Sequence, residues 1–514
     1  MTLSLSKRLK ALFLMTLLAA CAPVGPDYVP PEPDAPKQWD TPLKGGLVEK
    51  DNDNNALSTW WNAFDDPLLT DLVERAVSGN LDLKSARSRV REARAGRGIS
   101  EAGLVPAVDV AASATRNRLS EDRYGGDEYN LYSAGFDAGW EIDVFGGIRR
   151  SVEAATADLE AEEETLRDVM VSLLSEVALN YLDVRTIQLG IEVAVHNLEA
   201  QERSYRLALS RYEAGLTNEL SVQQARYNME STRSQIPLLR TALAAAMNRL
   251  SVLLGLQPGA LNGQLKEHAP IPVPPLKVSV GVPAEALRNR PDIRRAERQL
   301  AAQTARVGTA TADLYPKFSL VGSIGLETLS LGDVFSASGL AYLIGPSVTW
   351  PVFDAGAIRS NIQVQTERQK QALIQYEYAI LAALEEVENA LVAYADEQNR
   401  MKALEASTDA AERAVSLSQS QYRAGLTDFT SVLDAQRSLL SFQEQLAQSK
   451  GNVTSNLVRL YKALGGGWKS FHRIASPQHG FIGYGQDANL NGKGHDNTDS
   501  ESNQTNAADD PGDR

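Results

Sequence analysis

RSVEAATADLEAEEETLRDVMVSLLSEVALNYLDVRTIQLGIEVAVHNLEAQERSYRLALSRYE, residues 150–213, contains no proline, and its apolar positions step by seven. Met170, Val177, Val184, Ile191, Leu198, Tyr205 and Tyr212 form one seam. Leu159, Leu166, Leu173, Ile187 and Ala194 form a second, interrupted at Asn180. A sustained heptad means packing against neighbouring helices along the whole length, as in a coiled coil. About 63 residues at 1.5 Å each make a rod of roughly 95 Å. A compact single domain has no use for such a rod.

Beyond this stretch the chain turns at Gly215-Leu216-Thr217 and returns in a shorter helical pattern over about 218–254. Another helical pattern precedes it at about 68–102. Between that pattern and the rod lie two strand-like runs. In the clearer one Tyr132, Ala134, Phe136, Ala138, Trp140 and Ile142 alternate with Ser133, Gly135, Asp137, Gly139 and Glu141. In the other Val108, Val110, Ala112 and Ala114 share a face. Period two with one apolar face marks a strand between unlike environments. About ten residues suffice for a tilted strand to cross a hydrocarbon core. The pattern alone fits a half-buried strand of a soluble sheet equally well.

All of this occurs twice, at a constant offset of 210 residues. Trp140 matches Trp350, Gly146 matches Gly356, and Tyr212-Glu213-Ala214-Gly215-Leu216-Thr217 matches Tyr422-Arg423-Ala424-Gly425-Leu426-Thr427. The second rod carries Leu373, Ile380, Val387, Tyr394, Met401, Val415 and Tyr422. Its short partners fall near 283–312 and 428–464. The reading divides the chain into a leader (1–20), a Pro-rich tether (21–59), repeat 1 (60–257), a Pro-rich linker (258–282), repeat 2 (283–467) and a C-terminal segment (468–514). The last part, from about 485, has the composition of a disordered tail. Two matched copies suit a pseudo-symmetric ring or tube. Four strands cannot close a barrel, so an oligomer is implied.

Lys7, Arg8 and Lys10 followed by apolar Leu9 to Leu18 read as an export signal. It ends in Leu18-Ala19-Ala20-Cys21, a small-residue cleavage site before the only cysteine of the chain. That pattern looks like a lipoprotein box, with Cys21 as the lipidated new N-terminus. One cysteine excludes an intrachain disulfide framework. Ala22 in place of Asp favours the outer membrane. The net charge of −14 argues against nucleic acid as a partner. No apolar run reaches the length of a membrane helix, so any crossing must use strands.

These features resemble the outer membrane efflux proteins of the TolC/OprM class, in the lipoprotein branch labelled NodT. The resemblance is carried by Cys21-Ala22-Pro23-Val24-Gly25-Pro26-Asp27-Tyr28, Trp60-Trp61 with Phe64-Asp65-Asp66-Pro67, and Asn289-Arg290-Pro291-Asp292-Ile293-Arg294. Leu314-Tyr315-Pro316, Trp350-Pro351-Val352-Phe353-Asp354-Ala355-Gly356 and Leu460 to Trp468 complete it. It implies a mixed α and β, internally duplicated fold and a homotrimer whose twelve strands form one outer membrane β-barrel. A long periplasmic α-helical barrel continues it. It also implies a passive exit duct, with a periplasmic adaptor protein, an inner-membrane pump (of the resistance-nodulation-division type) and outer membrane lipid as partners.

The two turns, Gly215-Leu216-Thr217 and Gly425-Leu426-Thr427, fit helix stops with glycine in the left-handed position, and Asn218 and Asp428 fit caps of the next helices. In the resembled family such tips also meet the adaptor. Thr430 to Arg437 resembles the segment that constricts the periplasmic entrance. Asp434 would form a three-fold carboxylate ring, with Arg437 at i+3; a solvated ion pair on a helix face is the plainer alternative. Thr430 stands where the family often has leucine. Asp137 and Glu141 would face the lumen, or simply water.

Enzymatic chemistry finds no support: His196, His268, His472, His479 and His495 are scattered, and there is no phosphate loop or nucleophile setting. No cofactor or metal site is expected. A type I protein secretion duct and a non-conducting coiled-coil scaffold lipoprotein remain as alternatives, with a lipid-anchored hydrolase a remote fourth. The cargo (antibiotics, dyes, solvents or aromatic acids) is unread.

Overall fold

The computed structural model describes residues 23–32, 35–49, 54–275, 277–333 and 336–471. Helices α1 (Pro67–Gly79) and α2 (Leu81–Ala102) lead into strands β1 (Ala107–Arg118) and β2 (Glu128–Ile142). A 67-residue helix α3 (Gly147–Glu213) and a return helix α4 (Glu219–Leu253) complete the first copy. The second copy repeats them as α5 (Pro283–Asn289), α6 (Pro291–Ala312), β3 (Lys317–Thr328), β4 (Leu340–Thr349), α7 (Ala357–Arg423) and α8 (Phe429–Ala463). Both ends of α2, β1, α3 and α4 recur at the 210-residue offset. Strand β4 is shorter than its counterpart, ten residues against fifteen in β2, and so is α5, seven against thirteen in α1.

The pattern over 68–102 reads as one helix, and that over 283–312 as another. Each is broken, at Asn80 and at Arg290. Asn80 accepts from the Leu83 amide at 2.9 Å, capping α2, while its Nδ2 donates to the Leu253 carbonyl at 2.9 Å. Arg290 precedes Pro291, which disfavours helical backbone there, and it sits at φ −78, ψ 121. Its Nη1 donates to the Ala463 carbonyl at 2.7 Å. Leu253 and Ala463 are equivalent positions. Two chemically different residues thus satisfy the same orphan carbonyl at the end of each return helix. Gly79 permits the contact in copy 1, since a Cβ there would lie 2.1 Å from the Leu254 carbonyl.

The heptad seam holds for the first half of α3. Met170, Val177 and Val184 are buried, Ile191, Leu198 and Tyr205 half-buried, and Tyr212 exposed. Further along, the buried line shifts to Ala194, Asn197, Gln201, Ser204 and Ala208. A straight helix drifts about 20° per heptad against a strict seven-residue repeat, which accounts for the shift. Between α3 and α6 runs a ladder of ion pairs: Asp158–Arg306 (2.5 Å), Glu160–Arg298 (3.1 Å), Glu164–Arg294 (2.8 Å) and Asp168–Arg295 (3.2 Å). Mostly solvent-accessible, such pairs set register more than they stabilise.

The main core lies midway along the rods, where the N-terminal segment, the linker and the C-terminal turn converge. Trp60 stacks on Tyr461 at 5.6 Å and meets Trp61 edge-on at 5.7 Å. Asp66 caps α1 and accepts from the Tyr181 hydroxyl at 2.6 Å. Burial, together with that bond, pushes the Tyr181 hydroxyl up to about 12.

The segment read as a tether runs without helix over residues 23–32 and 35–49, closes on a short helix at Asn54–Ser58 and, beyond that reading, is pinned at several points. The Val24 amide donates to the Phe145 carbonyl at 3.0 Å. The Tyr28 hydroxyl donates to Glu297 at 2.8 Å, and the Asp40 and Thr41 amides to Glu388 at 2.8 and 3.0 Å. Leu47–Val48 pairs in parallel with Val278–Ser279, so the linker contributes a short strand.

Candidate functional site

The four long strands form one antiparallel sheet in the order β1-β2-β3-β4, with the outer edges of β1 and β4 unpaired. The register sorts the side chains into two faces. One row of cross-strand partners reads Val110, Phe136, Ile324, Tyr342, and the next reads Val108, Ala138, Gly322, Ile344. Ile142, Phe318 and Val348 extend the same face. These large apolar groups are uncovered: Tyr342 is 79% and Ile344 74% exposed. The opposite face carries the row Asp109, Asp137, Ser323, Leu343 and the rows Glu141, Ser319, Ser347 and Ser113, Ser133, Glu327, polar but for the leucine at the β4 edge. A face that stays apolar without a protein cover requires an apolar solvent, and the two-faced pattern is that of a barrel wall. Among the described residues no helix is long and apolar enough to cross a membrane.

Trp140 and Trp350 mark the lower rim. Their indole N–H groups donate to the Leu104 and Leu314 carbonyls at 3.0 and 3.1 Å, one equivalent contact in each copy. Aromatic residues with a bonded polar end suit a membrane–water boundary. Pro23 lies at this level: a Cβ added to Gly146, which has φ +81, would sit 2.6 Å from the Pro23 Cα. Cys21 itself lies outside the described residues.

At the opposite end of the rods the two turns adopt the same structure. Gly215 and Gly425 have φ of 72° and 77°. The Leu216 amide returns to the Arg211 carbonyl and the Leu426 amide to Gln421, at 2.8 and 2.9 Å, closing a Schellman motif in each copy. Leu216 and Leu426 are exposed. Thr217 and Thr427 each bond a serine hydroxyl, Ser221 at 3.1 Å and Ser431 at 3.0 Å. Asn218 caps α4 through its side chain, accepting from Ser221 at 3.1 Å. Asp428 corrects the expectation for copy 2. Its side chain makes no cap bond, and its main-chain carbonyl accepts from the Ser431 amide instead, at 3.2 Å.

Beyond the second turn Thr430 and Asp434 are exposed on α8. Arg437 lies 3.6 Å from the Asp434 carboxylate, a loose i,i+3 pair. Its other contacts are closer: Nη2 donates to the Tyr227 hydroxyl at 2.5 Å and Nε to Asn228 at 3.0 Å, with the guanidinium over the Tyr227 ring. Arg437 therefore ties α8 to α4, the return helix of the other copy. Tyr227, Asn228 and, in the sheet, Asp109 were not singled out from the sequence. The 210-residue offset was the available signal for Tyr227, because equivalent positions near a pseudo-axis approach one another.

Residues 72–256 and 282–466 match the family model described as outer membrane efflux protein, one match for each copy. The chain belongs to this family. It is 31% identical over 488 residues to nodulation protein T of Rhizobium leguminosarum bv. viciae, covering 94% of this chain and 98% of that one. It is 33% identical over 462 residues to the solvent efflux pump outer membrane protein SrpC of Pseudomonas putida, covering 89% and 97%. Among solved structures, the outer-membrane channel OprN superposes with a TM-score of 0.82 at 36% identity, over 87% of this chain and 99% of that one. As an outer membrane efflux protein, the chain sets the apolar face of its sheet against lipid and extends its rods into the periplasm. Asp137 and Glu141 share the opposite, polar face, joined there by Asp109. Among the described residues no three His, Cys, Asp or Glu side chains gather as metal ligands would.

Proposed function

We propose that three copies of this chain form a passive exit duct for small molecules, the outer membrane component of a tripartite efflux system. A periplasmic adaptor and an inner-membrane pump would supply selection and energy, and the chain itself would perform no catalytic step. The observation that carries this reading is the four-stranded sheet with one lipid-suited face, one polar face and two open edges, standing on rods about 100 Å long. Three such sheets make twelve strands, enough for a barrel with an open lumen.

The duplication supports the assembly independently. On α3, Glu164 and Asp168 pair with arginines of α6, and Val171, at the next position along that side of the helix, is buried. Their counterparts on α7 are Ile374, Tyr378 and Leu381, all well exposed in the single chain. An apolar stripe at this spacing asks for a helix, and α2 of a neighbouring protomer is the counterpart of α6. The tips then lie at the periplasmic mouth, where Asp434 and Arg437 of three chains converge as the gate, Thr430 leaves it without an apolar plug, and Gly215-Leu216-Thr217 and Gly425-Leu426-Thr427 face the adaptor. Cys21 anchors the chain by lipid at the barrel rim, where Pro23 is held.

The test is complementation. In cells lacking their own outer membrane exit duct, this chain with its adaptor and pump should lower accumulation of a fluorescent dye to that of the parent strain. Unchanged dye accumulation with correctly inserted trimers would sink the small-molecule reading. Export of a protein substrate under the same conditions would favour the secretion duct.

A further inference from the structure

The tip holds a second arginine that neither the gate reading nor the resemblance uses. Arg211 lies in the last turn of α3, and its Nη1 donates across to two carbonyls at the end of α7, Tyr422 at 3.4 Å and Arg423 at 3.3 Å. Its guanidinium covers the Tyr422 ring, with Cζ 4.8 Å from the centroid. Tyr422 is buried, its ring tilted 54° against that of Phe429 with centroids 5.0 Å apart, in a small core of Ala208, Ala225, Val432 and Leu433. The last carbonyls of a helix carry partial negative charge, so a cation there stabilises them, here in addition to the Gly425 amide that bonds the Tyr422 carbonyl at 3.1 Å. Arg211 thus clamps the end of the second hairpin from the end of the first. Arg437 makes the reverse contact, from the second hairpin onto the return helix of the first.

The duplication shows where this clamp is missing. The counterpart of Arg211 is Gln421, and the counterparts of its acceptors are the carbonyls of Tyr212 and Glu213. In a pseudo-six-fold ring, Gln421 faces those carbonyls of the next protomer. A neutral amide there offers a weaker bond and no stacking cation. The seam within each chain is therefore clamped by charge, and the seam between chains is not.

We propose that Arg211 is a positioning residue for the periplasmic gate: it holds the second hairpin of each chain closed against the first, and the gate opens when that hairpin leaves both the first hairpin and the next protomer. This deepens, and rests on, the duct reading above.

Single-channel conductance of purified trimers in planar bilayers tests it, with trimer melting followed in parallel. Arg437→Gln reports on the gate reading itself. Arg211→Gln should raise the open fraction about tenfold without lowering the melting temperature of the helices, because a minor open state gains what the closed state loses. Arg211→Lys, which keeps a cation at the carbonyls but loses the planar stack, should fall between. Gln421→Arg supplies the missing clamp between chains and should lower the open fraction below native. Native currents from Arg211→Gln beside enlarged currents from Arg437→Gln overturn the proposal and leave the gate reading standing. Native currents from both overturn the tip as the gate, and the role of Arg211 with it. Should Arg211→Gln fail to assemble, Gln421→Arg decides alone, and unchanged currents from it overturn the proposal.

Discussion

Asp66 performs two tasks with one carboxylate. Oδ1 accepts from the Leu68 and Leu69 amides at 2.9 and 3.0 Å, and Oδ2 from the buried Tyr181 hydroxyl. Asp66→Ala removes a cap worth about 1 kcal/mol and leaves the Tyr181 hydroxyl, which still accepts from Arg185 at 3.2 Å, without an acceptor for its own proton, at about 1–3 kcal/mol. A destabilisation of about 2–4 kcal/mol should appear in the denaturant midpoint, and Asp66→Asn, which restores the cap, should recover part of it. Asp292 gives a pH-dependent case. Burial disfavours its charge, but the Arg290 guanidinium, at 2.7 Å, outweighs this and holds the carboxyl below the ordinary aspartate range. A depressed carboxyl contributes stability that is complete above its unfolded-state pKa and is lost as pH falls through its folded-state value. Acid unfolding of Asp292→Asn should therefore begin at higher pH than in the native chain, and the difference should close at very low pH. An unchanged acid profile would show that the Arg290–Asp292 contact adds nothing. Both residues were visible in the sequence as motif members. Asp292 lies in one motif with its partner Arg290, but the partner of Asp66, Tyr181, is 115 positions away and was not visible as such.

The elements themselves were largely legible, because a 210-residue repeat copies every error and every success. Heptads placed α3 and α7, alternation placed β2, and the glycines of the two turns ended the rods. Helix breaks at Asn80 and Arg290 escaped notice, since both flanks keep helical periodicity and the cause is a distant carbonyl. The course of the N-terminal segment was also hidden: proline content predicts extension but not what an extended chain lies against. Its path depends on two glycines. A Cβ on Gly25, which has φ +88, would lie 2.5 Å from the Gly308 Cα. A Cβ on Gly308 would in turn meet the Arg150 side chain at 2.9 Å. Arg150 holds the same segment through Asp27 at 2.6 Å and the Val24 carbonyl at 3.1 Å. Gly25→Val should release residues 23–28 to limited proteolysis while leaving helix content by circular dichroism unchanged. Protection equal to native would mean that the close approach of the two glycines is not required.

At the scale of the whole molecule the single chain is incomplete in two ways that agree. Its sheet ends in two unpaired edges, and its second rod shows Ile374, Tyr378 and Leu381 where the first rod is covered. Leu381→Glu puts a charge on that stripe and should yield monomers on size exclusion in detergent, with the sheet-face substitution Ser323→Ala as a silent control. Trimers as robust as native would place the interface elsewhere. The most direct measurement is single-channel conductance of purified trimers in planar bilayers, native against Asp434→Ala. Native protein should give small, cation-preferring currents that enlarge when the carboxylate ring is removed. Folded trimers that insert into the bilayer yet conduct nothing in either form would contradict the duct and return the chain to a scaffold.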